Sequence, residues 1–174
     1  VKDIYNGYSS SSPSYLTAVG NTLYFKATDG INGNELWKTD GTESGTMVKD
    51  INNGGSGGNP YSLTAVGNTL YFVADNGNKG YELWKTDGTE AGTSMVKDIY
   101  SGYSSSSPSS LTAVGETLYF KATDGNNGYE LWKTDGTEAG TSMVKDIYNG
   151  YSSSSPSYLT AVGNTLYFEA NNGN

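Results

Sequence analysis

The residues of this sequence that could do chemistry are carboxylates that recur at a regular spacing. The glutamates that precede a Leu-Trp pair are Glu35, Glu82 and Glu130. The aspartates that begin an Asp-Gly-Thr triplet are Asp40, Asp87 and Asp135. Two carboxylates can act as general acid and base when their surroundings hold their pKa values apart. A catalytic pair is unique in its protein, whereas these residues return in every repeat, and an Asp before Gly commonly accepts amide hydrogen bonds in a turn. We therefore expect structural roles for all six.

Other kinds of active site are excluded by the residue types that the sequence lacks. It contains no His and no Cys, which removes the commonest general base, the Ser-His-Asp triad, thiolate metal sites and disulfides. Asp29-Gly30 and Asp124-Gly125 resemble the start of a calcium loop, but the further Asp residues and the bidentate Glu of such a loop do not follow. We expect no enzyme activity, no cofactor and no metal site.

The charge and the hydropathy pattern limit the partners. The chain has 18 acidic and 10 basic residues, a net charge of −8, which disfavours nucleic acid because that partner needs a basic surface. No apolar run reaches 18 residues, so we expect no membrane span.

The recurring carboxylates belong to a repeat of about 48 residues. Its tryptophans, Trp37, Trp84 and Trp132, follow one another at steps of 47 and 48 residues, and residues 1–25 are identical to residues 144–168. Self-similarity at such a period is typical of proteins built from stacked supersecondary units.

Each repeat predicts four short antiparallel strands. In the first repeat they are predicted over 15–19, 22–27, 34–39 and 46–51, where β-branched and aromatic residues lie between turn residues. Gly20-Asn21 predicts a type II′ hairpin turn. No segment keeps a 3.6-residue period, so no helix is expected. The predicted fold is all-β, a β-propeller of four-stranded antiparallel blades that is incomplete in this chain.

Apolar residues occur on both faces of the predicted sheets, because Tyr24 and Phe25 are neighbours and so are Leu36 and Trp37. Such sheets pack between two others. The residues expected in the core between blades, together with their repeats, are Leu16, Ala18, Leu23, Phe25, Leu36, Trp37 and Val48.

The whole of 1–174 is predicted to be one repeat domain. Its parts are the outer strand and connector of a preceding blade at 1–14, blade 1 at 15–51, blade 2 at 61–99, blade 3 at 109–147 and the first half of blade 4 at 157–174. The predicted fourth blade lacks its third strand, so a closed ring of four blades would need a longer array or another copy. An open, fibre-like stack of the same units is the alternative.

The connectors between blades are rich in Ser and Tyr. They are expected either to be plain surface connectors or to form tyrosine-rimmed ligand loops around Tyr8, Tyr103 and Tyr151, since Tyr offers a rigid ring with a polar tip. The second connector, 52–60, has lost its tyrosines, so such a site would be lacking there.

The motif Glu-Leu-Trp-Lys-Thr-Asp-Gly-Thr, followed by Glu-x-Gly-Thr-x-Met-Val, resembles the ELWxxDGT repeat family of large secreted or surface-attached bacterial proteins. The resemblance covers three complete units and a partial unit at each end. It implies propeller-like blades and an extracellular or cell-surface location, and it supplies no functional residues. The chain departs from the pattern at Asn34, where the other units have Tyr81 and Tyr129, and in the glycine-rich connector 52–60.

We therefore expect a non-enzymatic, extracellular repeat module that serves structural assembly or adhesion through repeated surfaces. Its expected partners are further copies of the same repeat. The alternative is a lectin-like propeller that binds glycans through the connector tyrosines.

Overall fold

A computed structural model describes residues 2–174. Fourteen strands and no helix are present in this part of the chain, so none of it forms a helix that could cross a membrane. The strands form three four-stranded sheets and one two-stranded sheet, and every pairing is antiparallel between strands that follow one another in sequence.

The three complete sheets have the same strand lengths and order. Unit 1 contains β1 (Ser14–Val19), β2 (Thr22–Thr28), β3 (Asn34–Thr39) and β4 (Thr46–Lys49). Unit 2 contains β5 (Tyr61–Val66), β6 (Thr69–Asp75), β7 (Tyr81–Thr86) and β8 (Ser94–Lys97). Unit 3 contains β9 (Ser109–Val114), β10 (Thr117–Thr123), β11 (Tyr129–Thr134) and β12 (Ser142–Lys145). Half-unit 4 contains β13 (Ser157–Val162) and β14 (Thr165–Glu169). The four-stranded unit predicted from the repeat is confirmed.

The strand predictions were wrong at two places. The fourth strand of unit 1 ends at Lys49 rather than at residue 51, because the Ile51 amide donates to the Glu35 carboxylate and so leaves the ladder. The outer strand expected within 1–14 is not formed in residues 2–13, and Val1 lies outside the described residues. A strand needs a neighbour to pair with, and no strand in residues 2–174 lies beside this segment as a partner.

The tight turns between the first two strands of each unit have the backbone of a type II′ turn. The φ angles of their glycines are positive, at 56° for Gly20 and 58° for Gly115, and the residue after each has no positive φ. A type II′ turn requires a positive φ at its first central residue only. The second position is therefore free to vary, which explains why Glu116 stands where unit 1 has Asn21.

A β-bulge, not anticipated from the sequence, interrupts the first strand of each unit. In β1 the pairing steps from Ser14 opposite Lys26 to Thr17 opposite Tyr24, so two residues face one. Tyr15 takes a positive φ of 55° at this bulge. The residues with the same backbone in the other units are Ser62, Ser110 and Tyr158.

The core lies between successive sheets, as the two-faced apolar pattern predicts. We call the contact between units 1 and 2 joint 1–2, and the next one joint 2–3. The buried residues of joint 1–2 are Tyr24, Leu36, Val48 and Ile51 from unit 1, and Leu70, Phe72, Ala74 and Trp84 from unit 2. Joint 2–3 repeats this set with Tyr71, Leu83, Val96 and Ile99 from unit 2, and Leu118, Phe120, Ala122 and Trp132 from unit 3.

Leu16 was expected in this core and is not there, since 60% of it is exposed. Its counterparts Leu63 and Leu111 pack against joints 1–2 and 2–3. They do so from the face turned toward the preceding unit. Residues 2–13 form no strand on that face of unit 1, and both Leu16 and Ala18 are exposed there.

The first strands of the units, β1, β5, β9 and β13, lie side by side in chain order. The fold is thus a row of antiparallel sheets stacked face to face. No closed ring of sheets is formed by residues 2–174.

Candidate interaction surfaces

The recurring glutamates are buried latches that hold the connectors between units. Glu82 on β7 has no exposed surface. One of its carboxylate oxygens accepts the Ser106 amide at 2.8 Å, and the other accepts the Ser106 hydroxyl at 2.5 Å and the Ile99 amide at 3.2 Å. The carbonyl of Ser106 in turn accepts the Thr123 amide of unit 3 at 3.1 Å. Ser106 therefore ties unit 2 to unit 3.

The same latch occurs at the other two glutamates. Glu130 accepts the amide and hydroxyl of Ser154 at 2.8 and 2.5 Å. Glu35 accepts the amides of Ile51 at 3.2 Å, Asn52 at 3.4 Å and Gly58 at 2.5 Å, so a backbone amide alone replaces the serine there. The sequence contained a signal for this role, since Ser106 and Ser154 each follow their glutamate by 24 residues.

The surroundings of Glu35 and Glu82 oppose the ionisation of these two residues and exclude substrates. Burial raises the pKa of Glu35 and of Glu82 to about 7, even though the amide hydrogen bonds act in the opposite direction. A pKa near 7 is typical of a general base. Here, however, the carboxylates are enclosed and their oxygens already accept several donors, so they have no access to a reacting group.

The aspartates of the Asp-Gly-Thr turns cap those turns. Asp87 accepts the amide and the hydroxyl of Thr89 at 2.8 and 2.7 Å, and these hydrogen bonds lower its pKa. Asp40 and Asp135 make the same pair of bonds with Thr42 and Thr137. Each aspartate lies on a separate unit, and residues 2–174 hold no group of three potential metal ligands.

The tryptophans of the motif are buried in the sheets. The exposed fractions of Trp37, Trp84 and Trp132 are 5%, 6% and 7%. Trp84 packs on Phe72 with ring centroids 6.5 Å apart, and its ring nitrogen donates to the Ala74 carbonyl at 3.1 Å. Each third strand thus contributes a latch carboxylate and, two residues later, a core ring.

Tyr8, Tyr103 and Tyr151 lie in solvent on three separate connectors, with 113%, 82% and 84% of their surface exposed. The aromatic pairs in the described part of the chain are Tyr61–Tyr81 and Phe72–Trp84. The three connector tyrosines are therefore available to a ligand singly, and the fold does not bring any two of them together.

A group of tyrosines that the sequence did not single out lies near the bulges. Tyr61 packs edge-on against Tyr81 at 5.7 Å, and burial raises the pKa of Tyr61 to about 12, with smaller contributions from the tyrosines around it. Lys26 lies 5.1 Å from the ring of Tyr15, and Lys121 lies 5.7 Å from that of Tyr129. These rings come from three different units.

The last face of the chain exposes residues that are buried in the joints. Val162 and Tyr167 are each 60% exposed. Their counterparts in unit 2, Val66 and Tyr71, are 5% and 4% exposed because unit 3 covers them in joint 2–3. We call Val162 and Tyr167 the end face. We call the opposite face of unit 1 the start face. It contains the exposed Leu16 and the buried Phe25 and Trp37, against which Ile4 packs.

No family model matches the chain, and no curated protein matches it. Among solved structures, it is similar to the crystal structure of a computationally designed protein named Ika8, at 17% sequence identity and a TM-score of 0.48. The similarity covers 97% of this chain and 46% of the Ika8 chain, so the chain spans less than half the length of that protein.

Proposed function

We propose that this protein is a non-enzymatic repeat module whose copies assemble head to tail, the end face of one copy packing on the start face of the next. The observation that carries the proposal is the exposure of Tyr167 at one end and of Leu16 at the other. Each is the counterpart of a residue that packs in the internal joints, Tyr167 of Tyr71 and Leu16 of Leu63. The two faces are different, so the contact is heterologous and gives either a ring or an open filament.

We further infer that the sheets are arranged as blades of a β-propeller. The side-by-side first strands and the face-to-face stacking of four-stranded sheets support this arrangement. The extracellular or cell-surface location is part of the proposal and derives from the ELWxxDGT resemblance. Repeated equal surfaces suit a scaffold or an adhesin, because several weak contacts act together.

The assembly is tested with one charge substitution at each end. Leu16→Glu and Tyr167→Glu alter exposed side chains, so both variants are expected to fold. Each should be monomeric by analytical ultracentrifugation at concentrations where the unchanged chain self-associates. A mixture of the two should form a dimer that grows no further, since only one intact pair of faces remains.

The control is Tyr103→Glu, an exposed tyrosine on a connector, which should assemble like the unchanged chain. An unchanged chain that stays monomeric at all concentrations would contradict the proposal. So would a Leu16→Glu variant that still dimerises, because that result indicates two end faces packing on each other. Electron micrographs of the assemblies distinguish rings of few chains from filaments.

A lectin-like function is the second candidate, favoured by the exposure of Tyr8, Tyr103 and Tyr151. Sugars stack on such rings, and binding should decline in steps as these tyrosines are changed to Ala one by one. Absence of binding to every member of a glycan array at about 1 mM ligand, which is the weak limit of useful affinity, would remove this candidate.

A further inference from the structure

The edge of β14 is distinct from the end face and is free in residues 2–174. In units 1, 2 and 3 the second strand pairs with a strand on each side. β14 pairs only with β13. An open edge presents a row of amide and carbonyl groups that can pair with an incoming strand.

Two side chains beside this edge are more exposed than their counterparts. Phe168 on β14 is 39% exposed, whereas Phe72 and Phe120 are fully buried. Val144 on β12 is 45% exposed, whereas Val48 and Val96 are 5% exposed. In joint 1–2, the third-strand ring of Trp84 lies in one cluster with Phe72 and Val48. A third-strand tryptophan beside β14 would therefore cover Phe168 and Val144 together.

A lysine of the fourth strand in unit 3 offers a polar contact to the same segment. Lys49 donates to the Thr93 carbonyl at 3.1 Å, and Lys97 donates to the Thr141 carbonyl at 3.0 Å. In each case the acceptor lies just after the Asp-Gly-Thr turn that follows the third strand of the next unit. Lys145, the third member of this series, is exposed. It can donate to the corresponding carbonyl of an incoming segment.

We propose that the free edge of β14 binds, by strand addition, a segment of a second polypeptide that has the third-strand sequence of this repeat. That sequence is the one at 129–145, from Tyr-Glu-Leu-Trp through the Asp-Gly-Thr turn to the fourth strand. The register follows from the complete units, in which Phe72 faces Trp84 and Leu70 faces Thr86. The donor tryptophan therefore lies opposite Phe168. Backbone pairing provides the contact, and the tryptophan site provides the selectivity.

The inference deepens the proposed function by naming the chemistry of one partner. It rests on the proposed function in one respect, that modules of this repeat come into contact with one another. It uses β14 and Val144, whereas head-to-tail packing uses Leu16, Val162 and Tyr167. The two can therefore fail separately.

The test titrates the full chain into a synthetic peptide with the sequence of residues 129–145, labelled with a fluorophore at its first residue. Saturable binding is expected by fluorescence anisotropy. A peptide carrying the change Trp132→Ala should bind at least 10-fold more weakly, because the ring that covers Phe168 and Val144 is removed. Hydrogen exchange at 165–169 should slow when the unchanged peptide is present.

Two variants of the chain provide matched controls. Val144→Glu should weaken binding at least 10-fold. Val162→Glu changes an equally exposed valine on the end face and should bind the peptide within twofold of the unchanged chain, although it blocks head-to-tail packing. Absence of binding at about 1 mM chain, or equal binding of the Trp132→Ala peptide, overturns the inference. Either result leaves the outcome of the Leu16→Glu and Tyr167→Glu mixing experiment unaffected.

Discussion

At the residue scale, the repeated glutamate joins one unit to the next through its hydrogen bonds. Deleting the Glu82 carboxylate leaves the buried amides of Ser106 and Ile99 without an acceptor, and each such group costs about 1–3 kcal/mol. We expect Glu82→Ala to lower the free energy of unfolding by about 3 kcal/mol, and Glu82→Gln by less, since Gln keeps one acceptor. Urea denaturation measures both. Glu90→Ala, an exposed turn glutamate, is the control, and an equal effect of Glu82→Ala and Glu90→Ala would contradict the latch.

The same residues make stability depend on pH in an unusual direction. The pKa of Glu35 and of Glu82 is raised from 4.5 to about 7 in the folded protein, so the folded state binds protons more tightly than the unfolded state. Their contribution to stability is fully present below pH 4.5 and is lost as the pH rises through 7. One pKa unit corresponds to 1.36 kcal/mol, so each glutamate accounts for about 3 kcal/mol.

The free energy of unfolding should therefore fall between pH 4.5 and pH 8, and Glu82→Ala should remove about half of that fall. The turn aspartates act oppositely, since hydrogen bonds lower the pKa of Asp87 and Asp135 below 3.8. Their contribution is lost only as the pH falls below that value. Urea titrations at several pH values measure the profile, and a stability that rises steadily from pH 4.5 to 8 would show that the glutamates are ionised at little cost.

At the element scale, sheets are held to one another by rings from their third strands. Trp84 is 6% exposed and lies between units 1 and 2. We expect Trp84→Ala to cost about 3–5 kcal/mol, the usual range for a large buried aromatic side chain. Thermal or urea unfolding measures the loss. Tyr103→Ala, on an exposed connector ring, should change stability by less than about 0.5 kcal/mol. A loss from Trp84→Ala as small as this would mean that the joint is not a packed core.

The local parts of the fold could be predicted from sequence, and the parts that depend on distant partners could not. The Gly20 turn and the β3 boundaries follow from neighbouring residues, whose chemistry is sufficient to specify a hairpin. The latch role of Glu82 depends on a serine 24 residues away across a connector. The exposure of Leu16 depends on what covers the first sheet, which no pattern within a strand reveals.

Among the predicted site residues, Asp40, Asp87 and Asp135 cap turns as expected, because an Asx turn is a contact between near neighbours. The tyrosine group around Tyr61 escaped prediction because its members are distant in sequence. Tyr61 and Tyr81 lie on β5 and β7 of one sheet, and Tyr15 and Tyr129, which also act on the pKa of Tyr61, belong to the neighbouring units. The bulge at Tyr15 was missed for a different reason: the residue is not a glycine, and nothing in its neighbours marks a positive φ.

At the scale of the whole molecule, the units pack in chain order, with β1 on β5, β5 on β9 and β9 on β13. Stability should therefore vary along the chain as in other repeat proteins. Unit 2 is covered on both faces, and Leu70, Phe72 and Val73 of β6 are fully buried. Half-unit 4 is covered on one face only. We expect amides of β6 and β7 to exchange at least 100-fold more slowly than those of β14, a difference on the order of 3 kcal/mol in opening free energy.

Hydrogen exchange with mass spectrometry measures this gradient. The Tyr167→Glu variant is the appropriate sample, because it cannot gain protection from a copy packed on its end face. Equal protection of β6 and β14 would mean that the chain unfolds as one cooperative body, and the nearest-neighbour account of the stack would then be wrong. A gradient would instead mean that the last sheet is held weakly until another module covers it, which gives assembly itself a stabilising role in the fold.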